Sequence, residues 1–283
     1  MSVKNITVKG VSKHYGSVTA LDNVSLTLAE HKIYGLLGRN GAGKTTLLNA
    51  IAGRTFADEG EIAINGYAVQ DDKAETNNVY MMSEQTLYPD GMTVGKAFKK
   101  TALFYEGFDM DEVLELCRKF KLATGKKINS LSTGYTSVFK IITALATNAE
   151  YLLFDEPVLG LDAGHRDIFY KTLLKKFAEK PFTAIISTHL VEEVTHIAEE
   201  VIIIKDGRII VNESCQDLLA RGYTVSGPAA TVEQYAAGKT LLGIDSLGGL
   251  KTACLSGVQD NVPETLELSK PDLQTLFIYL TND

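Results

Sequence analysis

The sequence predicts an α/β fold, with a mostly parallel, helix-covered sheet, an antiparallel β layer, a helical subdomain and a small C-terminal appendage. Three observations carry this. Apolar strand-like runs at 31–37, 151–154 and 183–188 alternate with helix-like stretches at 45–52, 164–178 and 191–199, the order of crossover-connected parallel strands. Between the first such strand and the first helix lies a glycine-rich loop. Residues 3–9 and 22–28 instead alternate apolar and polar, with Val24, Leu26 and Leu28 on one face, as half-buried antiparallel strands do.

Taken in order, Glu61 to Tyr67 reads as a further strand closed by an Asn-Gly turn, joining the antiparallel layer. From about Met92 to Asn148 the pattern is helical, with Val113, Leu114, Leu116, Cys117 and Phe120 assigned to one face. Tyr151 to Phe154 is apolar throughout, as a parallel strand buried on both faces requires. Val201 to Lys205 turns through Asp206-Gly207 into a last strand at 208–211. Beyond Asn212 come glycines at 222, 227, 238, 243, 248 and 249 and a closing helical stretch at 272–280. The expected division is therefore one domain over 1–215, containing the helical subdomain at about 92–148, and an appendage over 216–283.

The net charge of −7 over 283 residues argues against the broad basic face of a nucleic-acid binder, so no nucleic-acid partner is expected. Three widely spaced cysteines suggest neither a disulfide framework nor a zinc site, consistent with a reducing, cytoplasmic setting. The first six residues turn polar too early for a signal peptide. No apolar run approaches the roughly 20 residues that span a bilayer, so any work at a membrane would need other chains to supply the spans.

Gly38-Arg39-Asn40-Gly41-Ala42-Gly43-Lys44-Thr45 encloses four residues between two glycines and ends in Lys-Thr, the P-loop pattern. Glycines let successive backbone N–H groups turn towards one anion, and the helix that follows adds its positive end. Lys44 is expected at the β- and γ-phosphates, and the Thr45 hydroxyl at Mg²⁺. Asp155-Glu156 follows the apolar strand directly, which puts two carboxylates where ligands bind in open α/β sheets. Asp155 is then the Mg²⁺ partner, through water, and Glu156 the group that polarises the attacking water.

The ordered set 38–46, Leu131-Ser132-Thr133-Gly134-Tyr135, 151–157, Leu161-Asp162 and Ser187-Thr188-His189 resembles the ATP-binding subunit of ABC transporters, over about residues 1–215. The resemblance implies ATP and Mg²⁺ as cofactors, ATP hydrolysis, and a head-to-tail dimer. In that dimer each nucleotide lies between one P-loop, Gly38, Asn40, Gly41, Ala42, Gly43, Lys44, Thr45 and Thr46, and the Ser132 and Gly134 of a second ATPase subunit. It makes His189 a γ-phosphate contact that holds water in line, and Tyr15 an adenine-stacking ring with His14 resting against it. It further implies an integral membrane permease as partner, a location at the inner face of the cell membrane, and, by the layout of bacterial export subunits, a peptide, drug or lipid-like cargo.

Three positions depart from the family. Thr133 stands where a second glycine is usual, Tyr135 where glutamine is usual, and Ser83 where a Mg²⁺-sensing glutamine is usual, with Glu84 and Gln85 one and two residues later. Ser83 or Glu84 would then serve the metal, with Gln85 a third candidate. His31, His165 and His196 match no motif and read as surface or packing residues. A soluble ABC-type ATPase or a nucleotide-binding regulator uncoupled from transport is the alternative function.

Overall fold

The computed structural model describes residues 4–70, 78–85, 88–89 and 91–282. Met1 to Val3 of the N-terminal reading and Leu87 of the Leu87-Tyr88-Pro89 run lie outside the described residues. Strands β1 (Asn5–Tyr15) and β2 (Val18–Ala29) form an antiparallel hairpin. Val24, Leu26 and Leu28 are buried on its inner face, as the alternation predicts. β3 (Ile33–Leu37) leads through the glycine loop into α1 (Lys44–Ile51). β4 (Glu59–Ile64) and β5 (Tyr67–Ala68) are joined by Asn65 and Gly66 at φ 53° and 85°, the two positive angles that a tight hairpin turn demands. The first sheet runs β2-β1-β4-β5.

After β6 (Val79–Met82) come α2 (Val94–Thr101), α3 (Met110–Lys119), a single 3₁₀ turn at Ile128–Ser130, and α4 (Thr133–Ala146). Asp109 caps α3 by accepting from the Asp111 and Glu112 amides. Val113, Leu116, Cys117 and Phe120 face the core, but Leu114 does not: it is 51% exposed, because one step of 100° from Val113 carries it off the stripe.

β7 (Tyr151–Asp155), α5 (Ala163–Glu179), β8 (Thr183–Thr188), α6 (Val191–Thr195), β9 (Glu200–Lys205) and β10 (Arg208–Ser214) follow. The second sheet has the order β10-β9-β3-β8-β7-β6, parallel but for the β9–β10 hairpin. Its central strands are buried on both faces. Tyr34, Leu36, Leu153, Ile185, Ile202 and Ile204 pack against α1 and the antiparallel layer, whereas Ile33, Leu37, Leu152, Phe154, Ile186 and Ile203 join the helical side. The helix expected over 191–199 stops at Thr195, since the Glu199 amide is taken by the Ile33 carbonyl at 2.9 Å and β9 begins at Glu200.

Beyond α7 (Cys215–Ala220), the glycine-rich segment is a sheet of its own. β11 (Gly222–Pro228), α8 (Ala229–Ala236), β12 (Leu241–Leu247), β13 (Leu250–Ser256) and β14 (Glu267–Ser269) make an antiparallel sheet ordered β12-β13-β11-β14. Some of its glycines serve as close contacts. A Cβ at Gly243 would lie 2.1 Å from ring atoms of Tyr279 in α9 (Leu273–Thr281). Val225, Val232, Ala253 and Leu255 form a small local core, while Cys254, Leu273, Leu276 and Phe277 join the larger one. Among the described residues no helix is long and apolar enough to cross a membrane.

Candidate functional site

Three neighbouring strands deliver the chemistry. β3, β8 and β7 lie side by side and parallel, so the loop after β3, His189 after β8 and Glu156 after β7 emerge at one sheet edge. There a cleft of about 440 Å³ is lined by residues 40–46 together with Glu84, Glu156 and His189.

The loop's glycines are fixed for different reasons. Gly41 has φ 81° with open space around it, so only its backbone angle demands glycine. At Gly38 a Cβ would come within 2.7 Å of the Ile204 carbonyl oxygen. Gly43, which begins α1, meets both conditions, with φ 110° and a Cβ that would approach the Ala20 oxygen to 2.5 Å. The β9–β10 turn braces the loop from behind, as the Gly207 amide donates to the Ala42 carbonyl at 3.0 Å and the Asp22 amide to the Gly207 carbonyl at 2.9 Å.

Lys44 is 7% exposed, and its Nζ donates to the carbonyls of Gly38 at 2.7 Å and Arg39 at 3.3 Å. Burial lowers its pKa, opposed by the charges of Glu156 and Asp155, and Glu156 Oε1 stands 4.0 Å from the amine. The Thr45 hydroxyl donates to Asp155 Oδ2 at 2.8 Å. Asp155 is 4% exposed and its Oδ1 is buried without a partner. An orphaned buried carboxylate oxygen beside a hydroxyl is costly unless a cation or its water completes it, so this donor set fits a hard, oxygen-seeking Mg²⁺.

Glu156 adopts φ 48°, a left-handed angle uncommon for a residue with a side chain. Its amide donates to the Ser187 carbonyl at 2.9 Å, and its Oε2 lies 2.9 Å from His189 Nδ1. Sequence reasoning named both residues but not their contact, which depends on β7 and β8 being adjacent.

Of the three candidates after β6, Glu84 lines the cleft. Ser83 does not: its hydroxyl accepts from Arg54 Nη1 at 3.1 Å, and both it and Gln85 border a separate cavity beside Tyr88 and Pro89. Tyr15 is 50% exposed at the end of β1, where Lys13 lies 5.6 Å above its ring. His14 turns to Asp58 instead, its Nδ1 3.4 Å from Oδ2.

Ser132 and Gly134 are not brought to this cleft. Ser132 caps α4, accepting from the Tyr135 amide at 3.4 Å. Gly134 abuts the backbone after β7, and a Cβ there would stand 2.5 Å from the Gly160 oxygen. Tyr135 faces His165 edge-on at 5.8 Å, and His165 bonds Asp162 Oδ2 through Nδ1 at 2.9 Å, so this histidine ties the α4 start to the Leu161-Asp162 turn.

Comparison with known proteins accords with this arrangement. The family model described as ABC transporter matches residues 21–159. The chain is 31% identical over 189 residues to the ABC transporter ATP-binding protein YtrB of Bacillus subtilis (strain 168), a match spanning 67% of this chain and 65% of that protein. It is 35% identical over 198 residues to the taurine import ATP-binding protein TauB of Ruegeria pomeroyi, covering 68% and 73%. It is 31% identical over 229 residues to the linearmycin resistance ATP-binding protein LnrL of Bacillus subtilis (strain 168), covering 75% and 70%. Among solved structures, the dimeric, post-hydrolysis state of the ATP-binding cassette MJ0796 with ADP and Pi aligns at TM-score 0.66 and 26% identity, over 74% of this chain and 98% of that one. The chain therefore belongs to the ABC transporter family, as an ATP-binding cassette of its ATPase subunits.

Proposed function

We propose that two copies of this cassette, or this one and a related one, close head to tail around Mg-ATP and drive a separate membrane permease by hydrolysing it. One observation carries the reading: a single cleft is lined by the P-loop Lys44, the Glu156–His189 pair and Thr45, whose hydroxyl bonds the buried Asp155 with its unpartnered oxygen directly behind. Thr45 and Asp155, with Glu84 lining the same cleft as Thr45, would hold Mg²⁺, which would neutralise charge developing on the phosphates. Lys44 holds the β- and γ-phosphates, Glu156 takes the proton side of the attacking water, and His189 keeps the Glu156 carboxylate aimed. Tyr15 offers a ring for the adenine.

Ser132 and Gly134 lie outside the cleft of their own chain, which supports a second subunit supplying them to the nucleotide. Attachment to the inner face of the membrane would then come through the permease. We assign export of a peptide, drug or lipid-like compound, with the match to LnrL, a resistance protein, in its support; the match to TauB and those to several other import proteins favour the opposite direction. Phosphate release by the purified chain, lost in Glu156→Gln while ATP still binds, tests the ATPase reading. ATP-driven uptake into inside-out vesicles carrying the permease tests export, and cargo movement out of such vesicles would overturn it.

A further inference from the structure

Lys140 lies midway along α4 in a buried and largely apolar stretch, with Phe139, Ile141 and Ile142 beside it in sequence. It is itself 9% exposed. A lysine in such a place costs desolvation that an apolar side chain would avoid, so its presence calls for a compensating partner. The partners are main-chain: Nζ donates to the Ser83 carbonyl at 3.0 Å and to the Glu84 carbonyl.

The same short segment is held from the other side. Arg54, just beyond the end of α1, donates from Nη2 to the Met81 carbonyl at 2.8 Å and from Nη1 to the Ser83 hydroxyl at 3.1 Å. Residues 81–84 thus form a strap between the helix that begins at Lys44 and the helix capped by Ser132. Both ties avoid the Glu84 side chain, which stays on the cleft beside Thr45 and Glu156.

We propose that Lys140 is a positioning residue: by clamping the Ser83 and Glu84 carbonyls it aims the Glu84 carboxylate at the metal-nucleotide cleft and couples that carboxylate to movement of α4. This rests on the proposed function, since it assumes that Glu84 serves the bound metal. Displacing α4 at Ser132 drags Nζ and with it the strap, so engagement of α4 by a second subunit reaches the metal side of this cleft through one side chain. The device explains how the chain manages without a glutamine at position 83: the carboxylate that serves is Glu84, one residue on, held at the cleft by a buried cation that the local sequence pattern does not announce.

The test uses the full chain in the Glu156→Gln background, so that ATP is held without turnover, with Mn²⁺ as a spin-active probe of the metal position. Lys140→Met is expected to weaken Mn²⁺ binding to the ATP complex by about 10–100-fold, the scale for losing a residue that orients a ligand, with metal-free ATP affinity unchanged. Glu84→Gln should weaken it similarly, and the double variant no further, because the two act through one path. Lys140→Arg, which keeps the charge and donors, should restore part of the loss. Full Mn²⁺ affinity in Lys140→Met, or additive losses in the double variant, would overturn the inference. If Lys140→Met does not fold, Lys140→Gln with the same titration decides, and amide exchange at 83–85 should rise in either variant; unchanged exchange counts against the clamp. Failure of the Glu156→Gln protein to bind Mn-ATP at all would instead sink the proposed function.

Discussion

Glu156 and His189 sit 2.9 Å apart, Oε2 to Nδ1, across the C-terminal ends of adjacent parallel strands. The carboxylate is presented by a residue at φ 48°, whose amide is anchored on the Ser187 carbonyl. A left-handed non-glycine backbone persists only where its surroundings over-determine it, and such angles concentrate at functional sites. Here the strain lifts one carboxylate out of the strand line while Asp155, the residue before it, stays buried against Thr45.

Glu156→Gln keeps the shape and removes the base. Turnover should fall by roughly 10²–10⁴-fold, the range for losing general acid–base assistance, while fluorescent-nucleotide titration shows ATP affinity preserved. His189→Ala should cost less, and the double variant should be no worse than Glu156→Gln, because His189 acts through the same carboxylate. Additive losses would mean that His189 contributes elsewhere.

Asp155→Asn replaces a buried carboxylate whose Oδ1 has no protein partner. The expected result is a metal requirement raised by about 10–100-fold, read as the Mg²⁺ concentration for half-maximal phosphate release, with binding of metal-free nucleotide little changed. Thr45→Val should act in the same direction, since it deletes the hydroxyl that donates to Asp155 Oδ2.

Two glycine substitutions separate angle from space. Gly41→Ala meets no atom but keeps φ 81°, so its cost should be about 1–2 kcal/mol, the left-handed penalty for a side chain. Gly134→Ala sits inside a helix, where alanine would ordinarily gain nearly 1 kcal/mol in propensity. Its Cβ would stand 2.5 Å from the Gly160 backbone oxygen, however, and overpacking of about 1–3 kcal/mol should win. Denaturant unfolding of Gly134→Ala measures the sign, and a stabilised variant would show that α4 shifts freely away from the turn after β7.

The parallel core was legible because its strands are buried on both faces and therefore apolar throughout, and because phosphate binding needs glycine, lysine and threonine at fixed spacing. What escaped was long-range. The strap ties of Lys140 and Arg54, the Tyr135–His165 contact and the Glu156–His189 pair each join elements far apart in sequence, so no local pattern marks them. The strands of the appendage were unread for another reason. Gly222 and Gly243 look like strand breakers, yet each is where another group packs against a strand, the Leu255 carbonyl in one case and the Tyr279 ring in the other.

Lys44 sets stability against function. Its amine is buried, its pKa is lowered by desolvation, and the charges of Glu156 and Asp155 only partly compensate. Lys44→Met should therefore abolish productive nucleotide binding and yet cost the nucleotide-free protein little stability, because the desolvation penalty on the amine outweighs what the Glu156 and Asp155 charges return to it. The pH dependence has a definite sign. Because the folded pKa lies below the unfolded 10.5, the unfolded chain binds more protons between the two values, and stability contributed at this site rises with pH across that window. Below the window the full cost of the buried charge is present. The stability of Lys44→Met relative to the unsubstituted chain should accordingly be highest near neutral pH and decline as the pH climbs towards 10.5, measured as the difference in denaturant midpoints at several pH values. A difference that grows with pH would show that Lys44 is stabilised, not penalised, in the folded loop.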